Sequence, residues 1–213
     1  MKLYNFFRSG TSHRLRIALN LKGLDYDYVA VNLPKAEHLT QAFKALNPQG
    51  FVPALELDDG LVLTQTPAII EWLEERYPNP PLLPSGPEAR ARVRAMAAAV
   101  GCDIHPLNNR RVLEYLRHTL KCDEAAVLAW CAQWISAGFA ALETMLAADP
   151  ARGRFCHGDA PGLVEVYLVP QVESARRFNV DLTPYPAIRA VDEACAGLDA
   201  FKRAVPTAQP DAI

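Results

Sequence analysis

Hydrophobic and polar positions run through the first eighty residues with two periods in alternation, and through the remainder with one. Lys2-Leu3-Tyr4-Asn5-Phe6 fits a short strand. Leu15, Ala18 and Leu19 then recur at the three- and four-residue spacing of one helical face, and Gly23 is placed to stop that helix. Residues 25–32 alternate as a half-buried strand, and 37–46 fit a short helix. Residues 52–57 and 61–63 flank Asp58-Asp59-Gly60, a strong hairpin signal, and Thr66 with Pro67 opens a helix reaching about Tyr77. Pro53 has no N–H to give a ladder, so it belongs at the beginning or edge of its strand, where a turn with a cis bond would suit it.

Five prolines in residues 78–87, PNPPLLPSGP, end that helix and read as a connector. Beyond them, residues 88–120, 124–148 and 163–178 are rich in helix formers and separated by Gly-, Pro- and Asp-rich breaks. The expected organisation is an α/β unit over residues 1–80, a linker over 81–87 and an all-α domain over 88–213. No run reads as long enough to span a bilayer, and the early polar residues Asn5 and Arg8 leave no signal-peptide core.

Composition narrows the function. The chain has 213 residues, 50% of them hydrophobic, and a formal net charge of -2. This predicts a soluble cytoplasmic protein without a broad nucleic-acid or membrane footprint, in which any anion site is small. Five widely spaced cysteines without a CxxC pair suit reduced, structural thiols better than disulfides or a zinc site, so no metal is expected.

The chemistry concentrates where the first strand meets the first helix, FRSGTSHRLRIAL from Phe7 to Leu19. Ser9, Thr11 and Ser12 are residue types that accept backbone N–H groups at a helix start, and Gly10 permits a tight bend or the close approach of a ligand. Such a junction can receive an anion or a nucleophile; the same residues also serve an ordinary capped helix with a solvated basic face.

Taken together, FRSGTSHRLRIAL, ALNPQGFVPAL, TQTPAIIEWLEERYP, IHPLNNRRVL and LVPQVESARRFNVDLTPYP resemble the signatures of cytosolic glutathione transferases of the zeta class over essentially the whole chain. The resemblance implies a thioredoxin-like α/β N-terminal domain, an all-α C-terminal domain and a homodimer. It also implies glutathione as cofactor and a glutathione-dependent cis–trans isomerisation of a small dicarboxylate keto acid, maleylpyruvate or maleylacetoacetate. By family position, Ser9, Thr11 and Arg8 are the catalytic candidates. Gly10, Ser12, His38, Gln49, Val52, Pro53, Gln65, Thr66, His105 and Asn109 join Ser9 and Thr11 as glutathione-binding candidates. Arg8, Arg111 and Arg177, with their neighbours Arg110 and Arg176, are candidates for the substrate carboxylates, which guanidinium groups grip through two parallel bonds. Adjacent arginines point about 100° apart on a helix, so one of each pair is expected in the site. His105 and Asn109, four apart, are expected on one helical face.

Two positions depart from the family pattern. Thr11 stands where a cysteine is common, which removes a protein thiol from the expected chemistry. Gly162 replaces the hydroxyl residue of a capping box, leaving Glu165 to support that helix start alone. The alternative activities are conjugation or dehalogenation of small α-halo acids by the same sulfur, or a noncatalytic glutathione-binding module.

Overall fold

The computed structural model describes residues 1–212. Two compact units emerge, Met1–Leu82 together with Ala196–Ile213, and Leu83–Cys195.

The first unit is built on β1 (Lys2–Asn5), α1 (Gly10–Leu21), β2 (Asp27–Ala30), α2 (Gln41–Leu46), β3 (Ala54–Glu56), β4 (Val62–Thr64) and α3 (Thr66–Arg76). The sheet order is β2-β1-β3-β4, with β1 parallel to β2 and the other pairs antiparallel. This mixed four-stranded sheet is the thioredoxin-like arrangement expected. The register pairs Lys2 with Glu56, and the Glu56 carboxylate accepts from Lys2 Nζ at 2.8 Å and from Tyr4 Oη at 2.7 Å. Those two donors hold its pKa below the usual carboxylate range.

α1 and α3 pack on one another, and Leu3, Leu15, Leu19, Leu55, Ile69 and Leu73 are buried in the surrounding core. A smaller cluster of Val31, Phe43 and Val52 fixes the loop that precedes β3. The expected helix over 37–46 is divided: Glu37–Leu39 forms a 3-10 turn, and Thr40 ends it and caps α2 by accepting from the Phe43 amide at 3.3 Å. Pro53 lies just ahead of β3 behind a cis Val52–Pro53 bond, where a missing N–H costs no ladder bond.

The second unit contains α4 (Pro87–Ala98), α5 (Arg110–His118), α6 (Glu124–Ala148), α7 (Leu163–Arg177) and most of α8 (Pro186–Ala196). The run over 88–120 is not one helix. A π turn occupies Ala99–Ile104 and a 3-10 turn His105–Asn108, because Pro106 cannot donate to residue 102 and its ring clashes with that carbonyl. The π turn comes very close to α6: a Cβ on Gly138 would stand 2.3 Å from Ile104 Cγ1. In α6, Val127, Cys131, Ile135, Phe139, Leu142 and Leu146 form one buried stripe. Contrary to the sequence expectation, this helix is long and apolar enough to cross a membrane by length and composition, a test that core helices also pass. At α7, Glu165 receives the Gly162 amide at 2.7 Å and the Cys156 amide at 2.8 Å, so the one-sided cap also ties down the preceding loop. Cys131, Cys156 and Cys195 are buried, and burial raises their thiols, Cys131 to about 11.

The division differs from the expected one at its far end. Residues from Ala196 onward, including α9 (Asp199–Lys202), belong with the first unit. The reason is hydrogen bonding to α1: Arg16 Nε donates to Ala204 O at 3.0 Å and Asn20 Nδ2 to Ala200 O at 2.8 Å.

The connector is fastened to the first unit by a buried ion pair. Lys22 Nζ lies 2.6 Å from Glu74 Oε2 and donates to Pro80 O at 2.7 Å, while the same carboxylate oxygen accepts the Leu82 amide at 2.9 Å. Glu74→Ala leaves the Lys22 ammonium uncompensated in the interior and is expected to lower stability by about 3 kcal/mol. Calorimetry checks this against the double variant Lys22→Met/Glu74→Leu, which removes both charges and is expected to lose less.

Candidate functional site

The start of α1 is organised by hydroxyl groups. Ser9 is the N-cap, with extended backbone, and its Oγ accepts the Ser12 amide at 3.2 Å. Ser9 Oγ is 2.9 Å from Thr11 Oγ1, which in turn donates to the Val52 carbonyl at 2.9 Å. A carbonyl only accepts, so the single Thr11 proton points to Val52 and the Ser9 proton points to Thr11. If Ser9 turns its proton to an incoming anion, Thr11 loses one incoming bond but no donor is left unmet. The Gly10 and Thr11 amides head the helix, where no carbonyl one turn earlier in the helix receives them. With no acidic residue in this turn, they favour negative charge. Arg8 is exposed beside this turn, its guanidinium carbon 5.3 Å from the Phe7 ring centre. His13, by contrast, is buried; burial first, then Arg16 and Arg14, push its pKa well below the ordinary imidazole range, which keeps it neutral.

The loop facing this junction presents its backbone. Val52 is tied to Thr11 through its carbonyl, and the cis bond to Pro53 fixes the direction of the chain there. Asn47, which sequence reasoning did not single out, shapes the loop: its Nδ2 donates to Phe51 O at 2.8 Å and its Oδ1 accepts the Gln49 amide at 3.1 Å. An Asn ahead of Pro-Gln-Gly is the turn signal from which this role follows. Gly50, at φ 65°, leaves only 3.0 Å between the position of a Cβ and the His38 carbonyl, so the turn bearing His38 sits directly on this loop.

The start of α3 completes the edge. Gln65 has φ 67°, an uncommon backbone state for a residue with a side chain, and Thr66 is buried at the first helical position. Gln65 Nε2 donates to Gln49 Oε1 at 2.6 Å. The sequence candidates of the first unit thus fall into two linked sets, Ser9–Thr11–Val52 and Gln49–Gln65 with His38 alongside. Two helix starts and the backbone ahead of the cis proline can hold an extended anionic molecule and stabilise negative charge near Ser9.

In the helical unit, the expected one-face relation of His105 and Asn109 does not hold as written, since a helix break separates them. They nevertheless meet: Asn109 caps α5 through Oδ1 to the Arg111 amide at 3.2 Å, which turns its Nδ2 to His105 Nε2 at 3.3 Å. Arg110 lies 3.8 Å from Glu114, and Arg176 is ion-paired with Asp192. Arg177 donates to Ser174 Oγ at 3.4 Å and lies over Phe178 at 4.9 Å. Arg110 and Arg176 thus each lie beside a carboxylate of the same unit.

A family model described as the glutathione S-transferase N-terminal domain matches residues 8–76. The chain is 70% identical over 211 residues to a maleylpyruvate isomerase of Ralstonia sp, covering 99% of each. A solved holo structure of maleylpyruvate isomerase, described as a bacterial zeta-class glutathione S-transferase, matches with 69% identity, TM-score 0.98 and complete coverage of both chains. A maleylacetoacetate isomerase from Methylobacterium extorquens AM1, solved with bound malonate and glutathione, matches over the whole of both chains with 39% identity and TM-score 0.96. Identity of this extent, along the full length of such relatives and on the same fold, means that the chain belongs to the zeta class of the glutathione transferases.

Proposed function

We propose that this protein is a glutathione-dependent cis–trans isomerase of maleyl keto acids, acting on maleylpyruvate or maleylacetoacetate in the cytoplasm as a homodimer. The observation that carries the reading is the Ser9–Thr11–Val52 hydroxyl chain at an acid-free helix start, 2.9 Å per link. The residues present fit glutathione. Val52 offers strand-like backbone ahead of a cis proline, Gln65 and Thr66 open a helix suited to the γ-glutamyl carboxylate, and Gln49 and His38 lie along the same edge.

Bound glutathione supplies a thiolate that adds reversibly to the cis double bond, makes it rotatable, and is recovered unchanged. The Ser9 hydroxyl and the Gly10 and Thr11 amides favour that charged sulfur. A free thiol near ~8.5 is only a few per cent ionised at neutral pH, and lowering it by ~2 units takes roughly 2.7 kcal/mol of differential stabilisation. Arg8, Arg111 and Arg177 hold the substrate carboxylates and stabilise charge developing on the keto acid. His105 and Asn109 bear on glutathione as a mutually oriented pair. The malonate bound with glutathione in the Methylobacterium relative is a small dicarboxylate, as this assignment requires.

Incubation with maleylpyruvate and glutathione should yield the trans product with no loss of free thiol. Thiol consumption would make the protein a conjugating transferase, and glutathione binding without turnover a binding module. Ser9→Ala is expected to lower kcat/KM by ~10- to 1,000-fold, the upper part of which matches the ~100- to 1,000-fold loss on removing a comparable charge-stabilising donor. Thr11→Val should lower it less, and the opposite ranking would move the sulfur contact to Thr11. Among the arginines, Arg111→Met and Arg177→Met should raise KM for the dicarboxylate with glutathione affinity retained. Arg110→Met and Arg176→Met, at positions turned about 100° away on their helices, should change it much less; equal effects within each pair would refute the assignment of Arg111 and Arg177 to the substrate carboxylates.

A further inference from the structure

The two residues that lead into Arg8 and Ser9 have every backbone polar group held from outside the strand. The Phe6 amide donates to Ser12 Oγ at 3.4 Å, and its carbonyl accepts from the Ser9 amide at 3.0 Å and from Arg16 Nη1 at 3.5 Å. The Phe7 carbonyl accepts from Arg16 Nη2 at 2.9 Å, and the Phe7 amide donates to Asp211 Oδ2 at 3.2 Å. Phe7 therefore lies between a cation at its C=O and an anion at its N–H, which orients both peptide planes that flank it.

Asp211 is itself fastened. Its other oxygen accepts a hydrogen bond from the Tyr28 hydroxyl on β2, the strand beside β1. The segment carrying it is anchored by Arg16 at Ala204 and by Gln209, whose Nε2 donates to Arg203 O and Val205 O, each at 2.8 Å. A cavity of about 460 Å³ opens against Phe6, Phe7, Ala30, Pro34 and Asp211. Polar bonds, more than close packing, thus hold the carboxylate to Phe7.

We infer that Asp211 is a positioning residue for the sulfur-activating junction: from the far end of the chain it fixes the Phe7 peptide and, through it, the placement of Arg8 and Ser9. This rests on the assignment of Ser9 above. Without the carboxylate, the Phe7 amide faces the cavity and water can satisfy it, so the fold persists while the junction is free to turn. A misplacement of about 1 Å can cost ~100-fold in rate, which sets the upper end of the expected effect.

The test is a double-mutant cycle of Asp211→Ala and Ser9→Ala, read by kcat, KM for glutathione, the acid limb of the kcat/KM pH profile and the melting temperature. Asp211→Ala is expected to lower kcat ~10- to 100-fold and move the acid limb to higher pH, with a small change in melting temperature. On the Ser9→Ala background the same change should do markedly less. Normal kcat and an unmoved limb in Asp211→Ala, with Ser9→Ala impaired, would overturn the inference. An active Ser9→Ala would instead overturn the underlying assignment. If Asp211→Ala does not fold, Asp211→Asn, which takes the negative charge from the Phe7 amide, and Tyr28→Phe, which leaves the carboxylate with the Phe7 bond alone, must shift the limb in the same direction by a smaller amount; an unmoved limb in both overturns the inference as well.

Discussion

A fully buried cation holds the first unit in register. Arg16 has no exposed surface, and its guanidinium donates to Asn5 Oδ1, the Phe7 carbonyl and the Ala204 carbonyl at 2.9, 2.9 and 3.0 Å. A charge taken out of water is tolerated only where its donors are met, and here none of its hydrogen-bond acceptors is a carboxylate. Burial lowers its pKa to about 10, against the opposing pull of Tyr28, Tyr26 and Asp211, so it stays charged at neutral pH. The end of β1, the turn before Ser9 and the returning segment at Ala204 must all be in place together to satisfy it. The same side chain thus joins the stability of the unit to the geometry of the junction.

That coupling was the least legible part of the sequence. In RLRIAL, Arg16 reads as part of a solvated basic face, because its acceptors lie as far away as Ala204 and no local pattern announces them. The return of the final segment to the α/β unit was hidden for the same reason. Elements whose signals are local were plain: the Asp-Asp-Gly hairpin, the Thr-Pro helix start, the proline-rich connector and the helix-forming run of α6. Where a helix is broken by a single residue, composition misled. Thr40 prefers capping to continuing, and Pro106 interrupts a run otherwise rich in helix formers. His105 and Asn109 are adjacent as their spacing suggested, but through a side-chain bond across a break instead of a shared helical face.

Within the candidate site, sequence named the residue types and structure sorted them. Spacing alone prefers neither of the paired arginines; the structure adds that Arg110 lies beside Glu114 and Arg176 beside Asp192. Thr11, standing where a thiol is common, makes the opening of α1 an all-oxygen chain ending on the Val52 carbonyl, so a side-chain bond joins the loop before the cis proline to the helix start. Asn47 and Gly50 were not recognised because their work is on neighbouring backbone, yet they set the loop on which Gln49 meets Gln65.

The central claim is that this junction stabilises a thiolate, and the acidity of the sulfur in the binary complex with glutathione tests it without any substrate. Ultraviolet titration of bound glutathione should give a thiol constant ~2 units below the ~8.5 of the free thiol, raised toward that value in Ser9→Ala. A bound thiol that titrates like the free one would contradict the account.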